Sequence, residues 1–110
     1  MIVVVKKVGK KPTLQEVDKK KLLSDLQHLV KGFIQSIPAD DQGKYDLVVN
    51  EEGKVNNLEP NFFFYGDVIC GDAVLVRNNS EGDYISIPDN ERLFALEYMK
   101  SFEKGQQNYV

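Results

Sequence analysis

Met1-Ile2-Val3-Val4-Val5-Lys6-Lys7-Val8, MIVVVKKV, is the stretch whose reading decides the fold. A β-branched run with no polar break does not suit a strand with one wet face, where apolar and polar residues alternate. It predicts a strand covered on both faces or placed centrally in a sheet. The run is too short for the apolar segment of a signal peptide, and nothing along the chain approaches the roughly 20 apolar residues of a membrane span. Cys70 is the only cysteine, which excludes an internal disulfide and fits a reducing compartment. The expected setting is cytoplasmic.

Working outward, Gly9-Lys10-Lys11-Pro12 supplies a turn, and Thr13 to Val17 returns as a second strand of a hairpin. Asp18 can cap a helix over 18–31, in which Leu22, Leu23, Leu26, Leu29 and Val30 recur at helical spacing and Gly32 sits at the C-terminal stop. Phe33 to Ile37 reads as a strand ended by Pro38, and Tyr45 to Val49 as its neighbour. Val68 to Arg77, VICGDAVLVR, reads as one further strand, and Tyr84 to Ile87 pairs back across the Asn78–Asp83 turn. Pro88 and Asp89 open a second helix over 89–104, with Leu93, Leu96 and Met99 joined by Phe94, Tyr98 and Phe102 in its apolar stripe, and Gly105 ends it.

The fold expected is α+β: one mainly antiparallel sheet over 1–8, 33–37, 45–49, 68–77 and 84–87, with two helices packed on one of its faces. Leu26, Leu29, Val48, Ile69, Val74, Leu93 and Leu96 are expected in the core. The 110 residues, 42% of them hydrophobic, suffice for a single domain over 1–110, with 105–110 as a frayed tail. Net charge is −3, but residues 1–31 carry +5 and residues 32–110 carry −8. A basic arm of this kind can touch nucleic acid. Here the lysines lack interleaved aromatics and an arginine cluster, so solvated faces are the plainer reading.

Several chemistries find no support. The one histidine, His28, lies in the first helix beside Leu26 and Leu29, where a core-edge or surface role is expected. Cys70 stands in an apolar run and reads as a buried, inert thiol. One cysteine and one histidine cannot build a structural zinc site, no calcium-loop spacing occurs, and neither glycine-rich phosphate motif is present. No metal and no cofactor are expected. Acid pairs such as Glu51 with Glu59 could work as general acid and base, though loop carboxylates more often meet solvent.

The most patterned stretch is Val48–Asn61, VVNEEGKVNNLEPN. As a turn, Asn50 and Glu51 bond the backbone amides that follow, Gly53 takes a positive φ, and Pro60 fixes the chain before the aromatics. As a binding loop, it offers Asn50, Glu51, Asn61 and Tyr65 as contacts. Both readings stay open. The order Asn-Glu-Glu-Gly-Lys, an amide-rich spacer, Leu58, Pro60-Asn61, then Tyr65-Gly66-Asp67-Val68-Ile69 and Gly71 resembles domain-of-unknown-function family 3846, small proteins of phages, plasmids and bacteria. The resemblance covers nearly the whole chain, including the segments GFIQSIP, GDVICG and SIPDNE. In that family a basic residue often follows the Pro-Asn pair, whereas Phe62 does here, a departure that puts a polar role at that position in doubt. The resemblance implies the same α+β fold and a mobile-element setting, and it brings no activity. The expected function is therefore a non-enzymatic module that binds an unidentified host or element protein. The first alternative is a nucleic-acid accessory protein using Lys6, Lys7, Lys10, Lys11, Lys19, Lys20 and Lys21, and the second is a small enzyme using loop carboxylates. No membrane partner is expected, and the sequence leaves the oligomeric state open.

Overall fold

Val3, Val4 and Val5 are each at most 1% exposed, so the opening run is indeed covered on both faces. The computed structural model of the protein describes residues 1–107. Among these, the elements in order are β1 (Ile2–Lys6), β2 (Thr13–Glu16), α1 (Leu22–Val30), β3 (Ile34–Pro38), β4 (Tyr45–Asn50), β5 (Pro60–Phe64), β6 (Asp67–Cys70), β7 (Ala73–Asn78), β8 (Tyr84–Ile85) and α2 (Arg92–Gln107). Short 3₁₀ turns at Lys19–Lys21 and Asp89–Glu91 lead into the two helices. The fold is α+β, with a main antiparallel sheet ordered β2-β1-β7-β4-β3 and β8 beside the end of β7.

Alternation along the inner strands builds two cores. Val3, Val5, Val48, Val74 and Val76 meet Leu26 and Val30 of α1 on one face. Val4, Leu47, Val49, Ala73 and Leu75 meet Phe62, Phe64, Ala95 and Met99 on the other. The helices therefore lie on opposite faces, not on one as the sequence reading had it. Strands buried on both sides need a cover on both sides. Full burial of a side chain such as Phe62 or Met99 contributes about 2–3 kcal/mol.

The run Val68 to Arg77 is not one strand. Gly71 and Asp72 break it, and β6 leaves the main sheet to pair with β5 in a second, two-stranded sheet on the α2 side. The consecutive phenylalanines make β5: Phe62 and Phe64 point into the core, and Phe63 is 42% exposed. The Tyr84–Ile87 strand shortens to Tyr84–Ile85.

Asp18 caps the 3₁₀ turn at Lys19–Lys21 rather than α1: its Oδ1 accepts the Lys20 N–H at 2.9 Å and Asp25 Oδ2 accepts the Asp18 N–H at 2.8 Å, while α1 begins only at Leu22 with no side-chain cap. At the far end of α1 the left-handed residue is Lys31 (φ 64°) rather than Gly32. Helix α2 runs through Gly105 to Gln107, so the expected stop at Gly105 does not occur, and residues 108–110 of the expected tail lie outside the described residues. Leu93, expected in the core, is 72% exposed; among the described side chains of α2 the buried ones are Ala95 and Met99, with Leu96, Tyr98 and Phe102 packed at their edge. No helix among the described residues is long and apolar enough to cross a membrane.

Candidate functional site

Asn50 ends β4, and its side chain holds three backbone groups. Nδ2 donates to the carbonyls of Val30 (3.0 Å) and Lys31 (3.3 Å), and Oδ1 accepts the Glu52 N–H at 2.8 Å. The amide thus satisfies carbonyls at the end of α1 and starts the next turn. The turn closes on itself through Asn56 N–H to Glu52 O (2.8 Å) and Leu58 N–H to Gly53 O (2.9 Å). Gly53 does not take the positive φ expected of it; Asn57 does, at 57°. Gly53 is needed for space, because a Cβ there would stand 2.5 Å from the Cys70 carbonyl oxygen.

Asn61, on β5, is equally internal. Its Nδ2 donates to the Lys6 and Gly71 carbonyls, both at 2.9 Å, and its Oδ1 accepts from Lys6 Nζ at 2.9 Å. Lys6, 1% exposed, also donates from Nζ to the Lys7 carbonyl. A charge buried this deeply needs such acceptors. Asn50 and Asn61, offered as contacts, are each 7% exposed and hold backbone groups together, and Asn50 also borders the cleft between β3 and β6. Of the residues singled out in the sequence, Glu51 and Tyr65 reach the surface, and the structure does not gather all four into one patch.

Tyr65 occupies an unusual place. With Gly66 it makes the two-residue turn of the β5–β6 hairpin between the paired Phe64 and Asp67. Both turn residues have positive φ, 48° for Tyr65 and 84° for Gly66, the mark of a type I′ turn, whose first position favours Asn or Asp. A tyrosine there costs about 1–2 kcal/mol of backbone strain, and its ring remains 74% exposed. The ring edge rests on Phe64 (centroids 4.7 Å) and Phe102 (5.9 Å), and its hydroxyl lies 3.2 Å from that of Tyr98. Tyr98 in turn donates to the Ala39 carbonyl. Burial, then the neighbouring Tyr65 hydroxyl, push the Tyr98 phenol well up, so it stays a neutral donor.

Two hollows flank this turn. A cleft of about 250 Å³ lies between β3 and β6, with Ile37, Val49, Val68 and Ile69 among the residues lining it, and Glu51, Lys54 and Asp67 also at its wall. A second, of about 250 Å³, is bordered by Pro38, Asp40, Asp41 and Tyr65. The two share no lining residue, but Ile37 and Pro38 are consecutive on β3 and Tyr65 and Asp67 flank Gly66, so the hollows are neighbours along the β3 edge, and the pair is called the trench below. Lys54 is ion-paired with Asp67, and hydrogen bonding from Lys54 holds the Asp67 carboxyl below its ordinary range. Cys70, expected buried, is half-buried at the cleft wall.

The alternatives fare differently. Cys70 and the exposed His28 stand on opposite sides of the main sheet, on the β5–β6 hairpin and on α1. No group of three metal-ligating side chains occurs among the described residues. Lys6 is buried and cannot reach phosphate. Lys7, Lys10 and Lys11 sit by the β1–β2 turn, whereas Lys19–Lys21 follow the other end of that hairpin, beyond the Ile2–Glu16 pair. About 13 Å of strand separates the two groups.

The strand edge of this trench was missed in the sequence. Its one signal is Pro38, because a proline inside a strand marks an edge. The family described as Domain of unknown function (DUF3846) matches residues 1–103, and the chain belongs to that family. Neither among the curated proteins nor among the solved structures does any match the chain.

Proposed function

We propose that this protein is a non-enzymatic, cytoplasmic protein-binding module of a phage or other mobile element, acting on a host or element protein through the trench beside Tyr65. One observation carries the reading: a large aromatic side chain is held out to solvent at a turn position where asparagine would be less strained. Such strain is retained where the side chain itself is used, and exposed tyrosine is a favoured anchor in protein interfaces. The mobile-element setting is part of this proposal and rests on the resemblance drawn from the sequence; the family membership itself carries no activity.

Tyr65→Asn separates the roles of the ring. Asparagine suits the I′ turn, and the strain it relieves offsets the lost ring contacts with Phe64 and Phe102, so the variant should stay folded with a melting temperature near the parent's, while affinity capture from host lysate, read by mass spectrometry, should lose its specific partner. Capture of the same partner by a folded Tyr65→Asn protein would sink the proposal.

A further inference from the structure

We propose that the trench takes an extended segment of the partner, carrying lysine or arginine at alternate positions, which adds to β3 as a further strand. This rests on the protein-binding reading and names the occupant of that same site.

β3 is the last strand of the main sheet, and the direction of its backbone groups follows from its ends. The Phe33 carbonyl accepts the Glu51 N–H at 2.8 Å, and the Ala39 N–H donates to the Tyr45 carbonyl at 2.9 Å. In an antiparallel ladder the backbone groups alternate side by residue. Residues 33, 35, 37 and 39 therefore face β4, and Ile34, Ser36 and Pro38 face outward. Ile34 and Ser36 each present an N–H and a carbonyl, and Pro38, with no N–H, ends the ladder. An edge of this kind is a template for another strand. A strand added there drops every second side chain onto the apolar wall formed by Ile37 and Val68.

The charge of the rim selects the occupant. Glu51 stands at one end, Asp67 between, and Asp40 and Asp41 at the other, against Lys54, which Asp67 already engages. Asp40 is fixed by the Lys44 and Tyr45 N–H groups at 2.8 and 3.1 Å. At the same end the exposed Tyr65 ring offers a face on which a guanidinium can stack. An acidic segment would meet like charge at Glu51 and at Asp40 and Asp41.

The test uses a fluorescein-labelled octapeptide of alternating valine and arginine, its valine–glutamate counterpart, and two versions of the first with backbone N-methylation at one or the other alternate set of residues. Fluorescence anisotropy should show the arginine peptide binding tighter than the glutamate peptide by about tenfold or more. One methylated version should bind and the other should not, because only one set of N–H groups faces β3. Asp41→Lys should weaken binding, and Ser36→Pro should abolish it, with Ser36→Ala controlling for the Ser36–Tyr84 hydroxyl contact. Equal binding of both charge types, equal tolerance of both methylation sets, or no binding up to millimolar peptide would overturn the inference. So would a dimer of the protein itself, seen by analytical ultracentrifugation and lost in Ser36→Pro, which would assign the edge to a second copy. If lysate capture depends on Tyr65 while the arginine peptide fails to bind, strand addition falls and the protein-binding reading stands.

Discussion

Asn61 holds its amide in a space closed to water, accepting from one buried ammonium and donating to two carbonyls. Asn61→Ala deletes all three interactions at once and leaves those groups short of partners, so it should cost about 2–3 kcal/mol. Urea denaturation should show a lower midpoint at an unchanged slope; a shift worth less than about 0.5 kcal/mol would show that water replaces the amide. Gly53→Ala should also destabilise, by about 1–3 kcal/mol, through the overpacking of a methyl against the Cys70 carbonyl. The sequence marked both positions, but it expected a positive φ at Gly53 where the structure needs the missing Cβ, and it offered Asn61 as a contact without showing its internal role. An asparagine after a strand has the same local pattern whether it caps a distant helix or meets a partner. The groups that decide the matter, the Val30 carbonyl for Asn50 and Lys6 for Asn61, are remote in the chain. Glu51 and Tyr65 could be seen as surface candidates, whereas the positive φ of Tyr65 depends on a hairpin register that periodicity does not reveal.

Among the elements, the start of α2 is tied to the sheet by Glu91. Arg77 Nε donates to Glu91 Oε1 at 2.9 Å and Nη2 to Oε2 at 3.3 Å; Tyr45 donates its hydroxyl to the same carboxylate, and its ring lies 5.5 Å from the Arg77 guanidinium carbon. Hydrogen bonds from Arg77, then from Tyr45, hold the Glu91 carboxyl below its ordinary 4.5. A depressed carboxylate stabilises the fold above its unfolded pKa and loses that contribution as pH falls through the folded value. Glu91→Gln should therefore cost about 1 kcal/mol at pH 7 and progressively less below pH 4.5, as urea titrations at both pH values would show. A cost that does not shrink in acid would mean that the carboxylate charge is not what matters. On α2 itself, Met99→Ala should cost about 2–5 kcal/mol, whereas Leu93→Ser should stay within about 0.5 kcal/mol. The sequence showed that α2 exists without showing which side of it is buried. Its apolar residues, Leu93, Phe94, Leu96, Tyr98, Met99 and Phe102, spread too widely around the helix to define one stripe. In VICGDAVLVR, an unbroken apolar run likewise hid a corner, because strands of two different sheets can both be buried.

At the scale of the molecule, the opening run already stated that both faces of the sheet are covered, and placing both helices on one face ignored it. The correct arrangement makes β1, β4 and β7 a shared middle layer: Val3 and Val5 belong to the α1 side, Val4 to the α2 side. The two cores are divided by backbone alone, so neither can be lost while the other keeps its wall. This predicts one cooperative unfolding transition. Leu26→Ala, on the α1 side, and Met99→Ala, on the α2 side, should each shift that transition by about 2–5 kcal/mol without splitting it. Because the two side chains pack on opposite faces, the double variant should be additive within about 0.5 kcal/mol. Far-ultraviolet circular dichroism, which reports both helices, and tyrosine fluorescence, which is weighted toward the aromatic α2 side, should give coincident urea curves in every variant. A Leu26→Ala protein whose dichroism falls first while the tyrosine signal holds would mean that α1 peels from a sheet that survives without it. The three-layer account of stability would then have to give way to one in which the α2 side folds alone.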